Sequence, residues 1–452
     1  MKLTFYGGAK AVTGANYMLE SGGIKILIDC GLHQGSNYSE DLNFEPFPYN
    51  PKEIDAVCVT HAHIDHIGRV PQLVKQKFFG HIYSTPPTRD MAEALLIDAE
   101  HILFEEAEKR ELPPIYVVGD IVKTMGLWQK RLYHEKFVIG PFEIEFYDAG
   151  HVLGSSSIVV RAEGKTVVFS GDLGNIHKPF LKPTESIQEP VDYVLIESTY
   201  GGRIHEKLKE RKNELERVIH ETVQKKGVLL IPAFALERTQ EMLFELNELV
   251  EHKKISHVPI FVDSPLAIKL TAVYEKYVSD PMYFNNEAID HMNNGDNIFD
   301  FPGLRFTLTQ EESKIISKTP PPKIIIAGAG MSQGGRVLFH EKQYLEDQNN
   351  TILFVGFQAK GSLGRAIIEK NSSVIISGEK IHVRAHVESI SGYSAHADQI
   401  QLIQWASQMK NSVKKIFIVQ GEENESKALS EKIKNKLGCD THTPSFGESA
   451  VL

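Results

Sequence analysis

His61-Ala-His63-Ile-Asp65-His66 places four side chains that can bind a metal ion within six residues. The stretch follows Ile54–Thr60, an apolar run that predicts a buried strand, and precedes Ile67–Val74, which predicts the start of a helix. Ligands in a strand-to-helix turn can converge on one point, and imidazole and carboxylate groups suit Zn²⁺. A histidine-rich surface loop is the alternative, but the ordered spacing behind a strand favours a catalytic metal site.

The composition narrows the class of protein. With 452 residues, the chain can hold two average domains or one domain with a large insertion. A net charge of −10 argues against a protein that coats nucleic acid indiscriminately, although bound zinc and a local basic groove still permit a nuclease. No apolar run approaches a membrane span and no secretory signal is seen, so we expect a cytoplasmic protein without a membrane partner. The three cysteines lack a C-x-x-C spacing, which predicts buried thiols instead of disulfides or a thiolate zinc site.

The predicted secondary structure changes twice along the chain. Up to Tyr200, short strands such as Lys2–Tyr6 alternate with glycine-rich and polar turns. From there to Thr351–Phe357, helices and strands alternate, which indicates a parallel sheet with crossover helices; only Asp280–Pro302 is polar and predicted to be irregular. A strand-rich pattern, including His382–Ile390, returns near residue 374. The sequence therefore predicts a β-rich domain interrupted by an α/β insertion.

Two later segments place further ligand types just beyond predicted strands, in Asp148-Ala-Gly-His151 and Phe169-Ser-Gly-Asp172. A lone histidine after a strand is more often a hydrogen-bonded turn residue than a ligand. Here glycine neighbours allow close backbone approach, and the pattern recurs at successive strand ends. His151 and Asp172 are therefore candidate ligands.

These residues, in this order, resemble the metallo-β-lactamase superfamily, in which an aspartate matching Asp29 of Ile-Leu-Ile-Asp-Cys-Gly supports the metal-site loops. Glu197-Ser-Thr-Tyr-Gly and Ser394-Ala-His396-Ala-Asp are similar to the extra motifs of the β-CASP nucleases. That family includes the endonuclease subunit of the eukaryotic pre-mRNA cleavage machinery and bacterial RNase J. The resemblance covers essentially the whole chain, including the position of the inserted domain.

The resemblance implies an α/β fold, α+β in parts. We expect a metallo-β-lactamase αββα sandwich with an inserted β-CASP α/β domain of mainly parallel sheet. The first part of the sandwich is expected at residues 1–202, the insertion at 203–373 and the second part of the sandwich at 374–452. A homodimer is also implied, by the resemblance alone.

The resemblance further implies a two-zinc centre and a reaction. The implied ligands are His61, His63 and His151 for one ion, Asp65 and His66 for the other, and Asp172 as the bridge between them. The implied catalytic residues are Asp65, Glu197 and His396. A metal-bridged hydroxide would attack the phosphodiester, His396 would protonate the departing ribose oxygen, and Glu197 would orient His396. The spacing of Glu197 and His396 alone favours a turn-capping carboxylate and a histidine bonded to the backbone, and only the match to the motifs reverses this interpretation.

A glycine-rich segment, Ala327-Gly-Ala-Gly-Met-Ser-Gln-Gly-Gly-Arg336, leads from a predicted strand into a helix. Such turns offer backbone N–H groups to an anion. The order is not G-x-G-x-x-G, which argues against a dinucleotide site. In the resembled family the segment faces the RNA backbone, and a structural role is the alternative for Arg365 and for Arg238. The predicted phosphate-binding residues are Ser332, Gly334, Gly335, Arg336, Arg365 and Ser394.

The chain departs from the family at its last motif, normally His-Gly-Glu, where it has Gln420-Gly-Glu422. A neutral amide oxygen is a poor zinc ligand compared with imidazole. The second site is then weakened but functional, or recruits Glu422, His386 or water, or is lost together with cleavage. Because the other ligands, Glu197 and His396 are intact, we expect activity to be retained.

We therefore expect a zinc-dependent endoribonuclease that hydrolyses phosphodiester bonds of single-stranded RNA. The insertion would close over the metal site and leave a channel that admits an unpaired strand. The alternatives are a DNA nuclease or 5′-exonuclease of the same family, or a non-catalytic RNA-binding paralogue, because Gln420 replaces a ligand histidine.

Overall fold

The structure is a computed structural model that describes residues 1–35, 40–176, 178–205, 208–356, 358 and 361–452. Contacts divide the chain into two units. The first comprises Met1–Ile176, Lys182–Ile204 and His396–Leu452, and the second His177–Leu181 and His205–Ala395. In the part of the chain that the structure describes, no helix is both long and apolar enough to cross a membrane.

The first unit contains, within the described residues, two seven-stranded sheets. In spatial order the first sheet consists of β22 (Ser449–Val451), β1 (Lys2–Phe5), β2 (Tyr17–Ser21), β3 (Ile24–Ile28), β4 (Ala56–Cys58), β5 (His81–Ser84) and β6 (Trp128–Lys130). The second consists of β21 (Thr441–His442), β20 (Lys415–Val419), β11 (Tyr193–Glu197), β10 (Lys165–Phe169), β9 (Ser156–Ala162), β8 (Phe142–Asp148) and β7 (Phe137–Ile139).

The two sheets face each other, and helices cover their outer sides. The rings of Phe5 and Phe417 are 5.2 Å apart between the sheets. The helices of this unit are α1 (Ile64–Ile67), α2 (Val70–Lys75), α3 (Pro86–Lys109), α4 (Val118–Leu127), α12 (Gln399–Ser407) and α13 (Glu423–Leu437), with a 3₁₀ turn at Pro51–Glu53. Leu402 of α12 and Leu429 of α13 share a core with the second sheet. Because both of its faces are covered, β20 is apolar and buried along almost its whole length. The predicted αββα sandwich is confirmed.

The second unit is built on a six-stranded sheet in which every recorded strand pair is parallel. Its order is β14 (Leu304–Phe306), β13 (Ile260–Asp263), β15 (Lys323–Ala327), β12 (Val228–Pro232), β16 (Thr351–Phe354) and β19 (His386–Ser389). A separate hairpin pairs β17 (Ser373–Ile376) with β18 (Glu379–His382). The helices are α5 (Leu208–Gln224), α6 (Arg238–Glu251), α7 (Pro265–Tyr277), α8 (Asn286–Asn293), α9 (Gln310–Lys318), α10 (Val337–Tyr344) and α11 (Leu363–Ile368), with a 3₁₀ turn at Ser391–Tyr393. The predicted parallel sheet with crossover helices is confirmed.

Two local predictions are wrong. Asp280–Pro302, predicted to be irregular, contains α8, whose start is capped by Asn285 accepting the N–H of Ala288. His382–Ile390, predicted as one strand, is divided between β18 and β19, which belong to different sheets. Because β19 pairs with β16, contacts place residues 374–395 in the second unit. The domain limits at 202 and 373 stay a prediction.

Candidate metal centre

The candidate ligands of the first unit lie where strands end. Each candidate residue follows or ends a strand. The strands and the residues after them are β4 with the His61–His66 cluster, β8 with His151, β10 with Asp172, β11 with Glu197 at its end, and β20 with Gln420. Since β10, β11 and β20 are parallel neighbours, their carboxyl ends open at the same edge of the sheet. This edge brings together residues that are far apart in the sequence.

Four ligand atoms form a compact group, which we call the four-ligand group: His61 Nε2, His63 Nδ1, His151 Nε2 and Asp172 Oδ2. The Nδ1 of His63 lies 3.0 Å from His61 Nε2 and 3.2 Å from His151 Nε2. The Oδ2 of Asp172 lies 3.5 Å from His61 Nε2 and 3.6 Å from His151 Nε2. Zinc bonds nitrogen and oxygen at roughly 2.0–2.1 Å, so the edges of a tetrahedron around it are about 3.3 Å. The group therefore fits a tetrahedral divalent ion.

The protonation states also suit a metal ion. Burial lowers the pKa of His61 and of His151 well below the usual value, because a charged imidazolium would lose its hydration there. Burial opposes ionisation of Asp172, but the neighbouring His66 outweighs it and holds the pKa of Asp172 well below the usual value. Neutral imidazoles and an ionised carboxylate are the forms that bind metal.

The residues expected to hold the second ion are arranged differently. His66 Nε2 lies 3.4 Å from Asp172 Oδ1 and 3.9 Å from Asp65 Oδ2. The amide nitrogen of Gln420 donates to Asp172 Oδ1 at 2.7 Å and lies 3.0 Å from His66 Nε2. Among the described residues, Asp65 and His66 belong to no group of three or more clustered imidazole, thiolate or carboxylate ligand atoms. Of the predicted substitutes, Glu422 is exposed before α13 and His386 lies in β19 of the second unit.

Asp29 is hydrogen-bonded to residues that position both the four-ligand group and His66. Its carboxylate accepts the Thr60 backbone N–H and the Thr60 hydroxyl, each at 2.8 Å, and lies 2.7 Å from His66 Nδ1. The Thr60 hydroxyl is in turn 3.0 Å from His61 Nδ1. Hydrogen bonds of this kind fix the tautomer and the orientation of a ligating ring. Thr60, with no sequence motif of its own, is thus the link between Asp29 and His61.

His396 lies beside the four-ligand group and is paired with a buried carboxylate. Its Nδ1 is 3.2 Å from Glu197 Oε1 and 3.9 Å from Asp172 Oδ2. Glu197 is fully buried and also accepts the N–H of Leu173 at 2.7 Å. Burial opposes protonation of His396, but the charge of Glu197 outweighs it and raises the pKa of the imidazole. The pair can therefore hold a proton next to the metal group.

The predicted phosphate-binding residues all lie in the second unit, where several have internal partners. Ser332 is buried and donates to Glu341, while Arg336 donates to Asp263 and to the carbonyl oxygens of Thr307 and Leu308. Ser394 is also buried. Gly335 is exposed, Gly334 is partly exposed, and Arg365 pairs with Glu369 on the surface. Arg238 is buried against Glu241. No sequence motif marks Glu341 or Asp263, because these partners are specified by tertiary packing.

Three family models match successive parts of the chain. Residues 10–217 match the metallo-beta-lactamase superfamily, 239–367 the Beta-Casp domain and 380–444 the Zn-dependent metallo-hydrolase RNA specificity domain. These matches include the four-ligand group and Gln420.

Several relatives match nearly the whole of this chain. Ribonuclease TTHA0252 of Thermus thermophilus is 36% identical over 452 residues, which are 100% of both chains. Transcription termination factor FttA of Methanosarcina mazei is 32% identical over 98% of this chain and 70% of its own. An RNase J-like protein of Methanocaldococcus jannaschii is 31% identical over 98% of each chain. A solved protein of unknown function from Enterococcus faecalis shares the fold, with a TM-score of 0.58 at 11% identity over 100% of this chain and 99% of its own.

Proposed function

The chain belongs to the β-CASP ribonucleases of the metallo-β-lactamase superfamily and is a metal-dependent hydrolase of RNA, and we propose that it is a zinc-dependent endonuclease for single-stranded RNA. The observation that carries the proposal is the convergence of His61, His63, His151 and Asp172 on one point. Three imidazoles with one carboxylate suit Zn²⁺ better than Mg²⁺ or Ca²⁺, which prefer oxygen ligands.

A divalent ion in the four-ligand group would supply positive charge that polarises a phosphoryl oxygen and makes a water molecule more acidic. The protein's own residues prepare the group for it. Neutral His61 and His151 present lone pairs, and Asp29 keeps His61 in position through Thr60. Ordered ligands of this kind reduce the reorganisation that the reaction requires.

His396 is the proposed proton donor to the departing ribose oxygen. Glu197 lies against Nδ1 of the ring, and we propose that Nε2 is the atom that donates the proton. Because Glu197 is buried and fixed by the Leu173 N–H, it can set the orientation of His396 without moving. A leaving alkoxide is a strong base, and protonation by such a group lowers the barrier to its departure.

The preference for a single strand is supported by the depth of the site. His61 and His151 are 0% exposed, so the scissile phosphate has to reach inward from the surface. A flexible unpaired strand does this more readily than a stiff duplex. The match of residues 380–444 to an RNA specificity domain supports RNA over DNA. The homodimer and the cytoplasmic location stay predictions.

The test is a cleavage assay with the Zn²⁺-loaded protein on labelled single-stranded RNA, duplex RNA, single-stranded DNA and a circular single-stranded RNA. We expect the circle to be linearised, since an exonuclease has no end to start from. Cleavage of linear RNA only, stepwise from the 5′ end, would favour the exonuclease alternative. Tight RNA binding without cleavage in Zn²⁺ or Mn²⁺ would refute the enzyme proposal and favour the RNA-binding paralogue.

The proton donor is tested by His396→Ala. We expect cleavage to slow by roughly 10²–10⁴-fold, the usual contribution of a general acid, with the metal content unchanged. His101→Ala, at an exposed position of α3, is the matched control and should keep the wild-type rate. An unchanged rate in His396→Ala would remove this residue from the mechanism.

A further inference from the structure

Gln420 is directed into the metal centre by its backbone. It follows β20 with a φ of 47°, and its N–H donates to the carbonyl oxygen of Gly8 at 2.7 Å. A Cβ atom on Gly8 would lie 3.1 Å from Gln420 Cγ and 2.3 Å from the Tyr17 hydroxyl, so glycine is needed for this close approach. Gln420 is 2% exposed, so its amide has to find its hydrogen-bonding partners inside the protein.

The hydrogen bonds define which way the amide faces. The amide nitrogen donates to Asp172 Oδ1 at 2.7 Å, and the amide oxygen accepts from the buried Tyr17 hydroxyl at 3.4 Å. With the amide turned over, its oxygen would face the Asp172 carboxylate, and two acceptors would repel each other. The N–H groups therefore point at Asp172 and His66.

His66 is engaged in either protonation state. When it is neutral, Nδ1 donates to Asp29 Oδ2 at 2.7 Å, and the lone pair on Nε2 accepts the second amide hydrogen at 3.0 Å. When it is protonated, its Nε2–H faces Asp172 Oδ1 at 3.4 Å. When His66 is neutral, both atoms that a second ion would need, His66 Nε2 and Asp172 Oδ1, accept an N–H group. When it is protonated, Nε2 carries a hydrogen and has no lone pair for an ion.

The two oxygens of Asp172 thus have different partners. Oδ2 faces His61 and His151 at 3.5 and 3.6 Å, whereas Oδ1 accepts from Gln420. A carboxylate that bridges two ions needs both oxygens for metal. Here one oxygen is available to the four-ligand group and the other is held by an amide, whose nitrogen has no lone pair to coordinate an ion.

We propose that the Gln420 amide takes the place of the second metal ion, so that the protein binds one divalent ion per chain, at the four-ligand group. The amide hydrogens supply the partial positive charge that the buried Asp172 and His66 acceptors would otherwise take from a cation. This inference rests on the proposed function in that it takes the four-ligand group as the site that is filled.

The test is the metal content of the folded protein after equilibration with excess Zn²⁺ and removal of loosely bound ion. The wild type is compared with Gln420→His, which supplies the missing imidazole, and Gln420→Glu, which supplies a carboxylate. Histidine adopts positive φ more readily than most residues, so the backbone at this position can be kept. Gln404→His, on the exposed side of α12, is the matched control for an added histidine.

We expect one zinc per chain in the wild type and in Gln404→His, and two in Gln420→His and Gln420→Glu. Replacement of zinc by Co²⁺ adds a spectroscopic readout, since magnetic coupling between two neighbouring ions should appear only in the Gln420 variants. Two zinc ions per wild-type chain, or one in both Gln420 variants, would overturn the inference. No zinc in the wild type would refute the four-ligand group itself, and with it the proposed function.

Discussion

The two halves of the metal centre share a carboxylate and a supporting aspartate, yet they differ in the atoms that face the ion position. The four-ligand group presents lone pairs at separations of 3.0–3.6 Å. The other half presents the amide nitrogen of Gln420, which lies 2.7 Å from Asp172 Oδ1 and 3.0 Å from His66 Nε2. The ends of the strands thus determine where a side chain lies. The chemistry of that side chain determines whether the neighbouring acceptor atoms face a cation or an N–H group.

The largest effect is expected from His151→Ala, which removes one ligand of the four-ligand group. Loss of one imidazole leaves three ligand atoms, so we expect the bound ion to be lost and RNA cleavage to fall by more than the roughly 10–100-fold that a supporting residue costs. Metal content and initial cleavage rate, measured on the same sample, check this. A variant that keeps its ion would show that His151 is not a ligand.

A smaller effect is expected from Asp29→Asn, because Asp29 contacts the metal centre through Thr60 and His66 and not directly. Asparagine retains the shape and tolerates the φ of 60° at this position, but it replaces one acceptor oxygen by a donor. We expect the affinity for Zn²⁺ to fall by roughly 10–100-fold, measured by competition with a chelator. Asp440→Asn, at an exposed position of the same unit, is the control. Equal affinities for both variants would separate Asp29 from metal binding.

Most of the four-ligand half could be predicted from the sequence, because its ligands follow strands and lie in short, recognisable motifs. The replacement at Gln420 was equally visible. Its consequence was not, since the direction of the amide depends on Tyr17, Asp172 and Gly8, which are distant in the sequence. The same limit applies in the second unit, where Ser332 and Arg336 were predicted from a local glycine pattern, while their partners Glu341 and Asp263 come from packing.

Asp65→Asn tests the second ion position, because Asp65 was predicted as a ligand of the second ion. If Gln420 fills that position, the variant should keep the metal content of the wild type. In a Gln420→His background, the same change should remove the second ion again while the first is kept. Loss of the single ion from Asp65→Asn in the wild-type background would show that Asp65 serves the four-ligand half.

The smallest effect is expected from the two arginines of the predicted phosphate site. Arg365 is paired only on the surface, and if it contacts an RNA phosphate, Arg365→Ala should reduce the salt dependence of binding by about 0.7 in slope without changing stability. Arg336→Ala leaves the fully buried Asp263 without its guanidinium partner, so we expect it mainly to lower the free energy of unfolding, by about 1–3 kcal/mol.

Salt titrations of RNA binding beside thermal unfolding separate these two outcomes. A changed salt slope with unchanged stability in Arg336→Ala would show that its internal bonds give way to phosphate. As in the metal centre, a charged or polar group that is already bonded to a buried partner is less available to bind a ligand. Arg336 is paired with Asp263, and Asp172 Oδ1 is paired with Gln420. We therefore expect the first pair to disfavour binding of phosphate and the second to disfavour binding of a second metal ion.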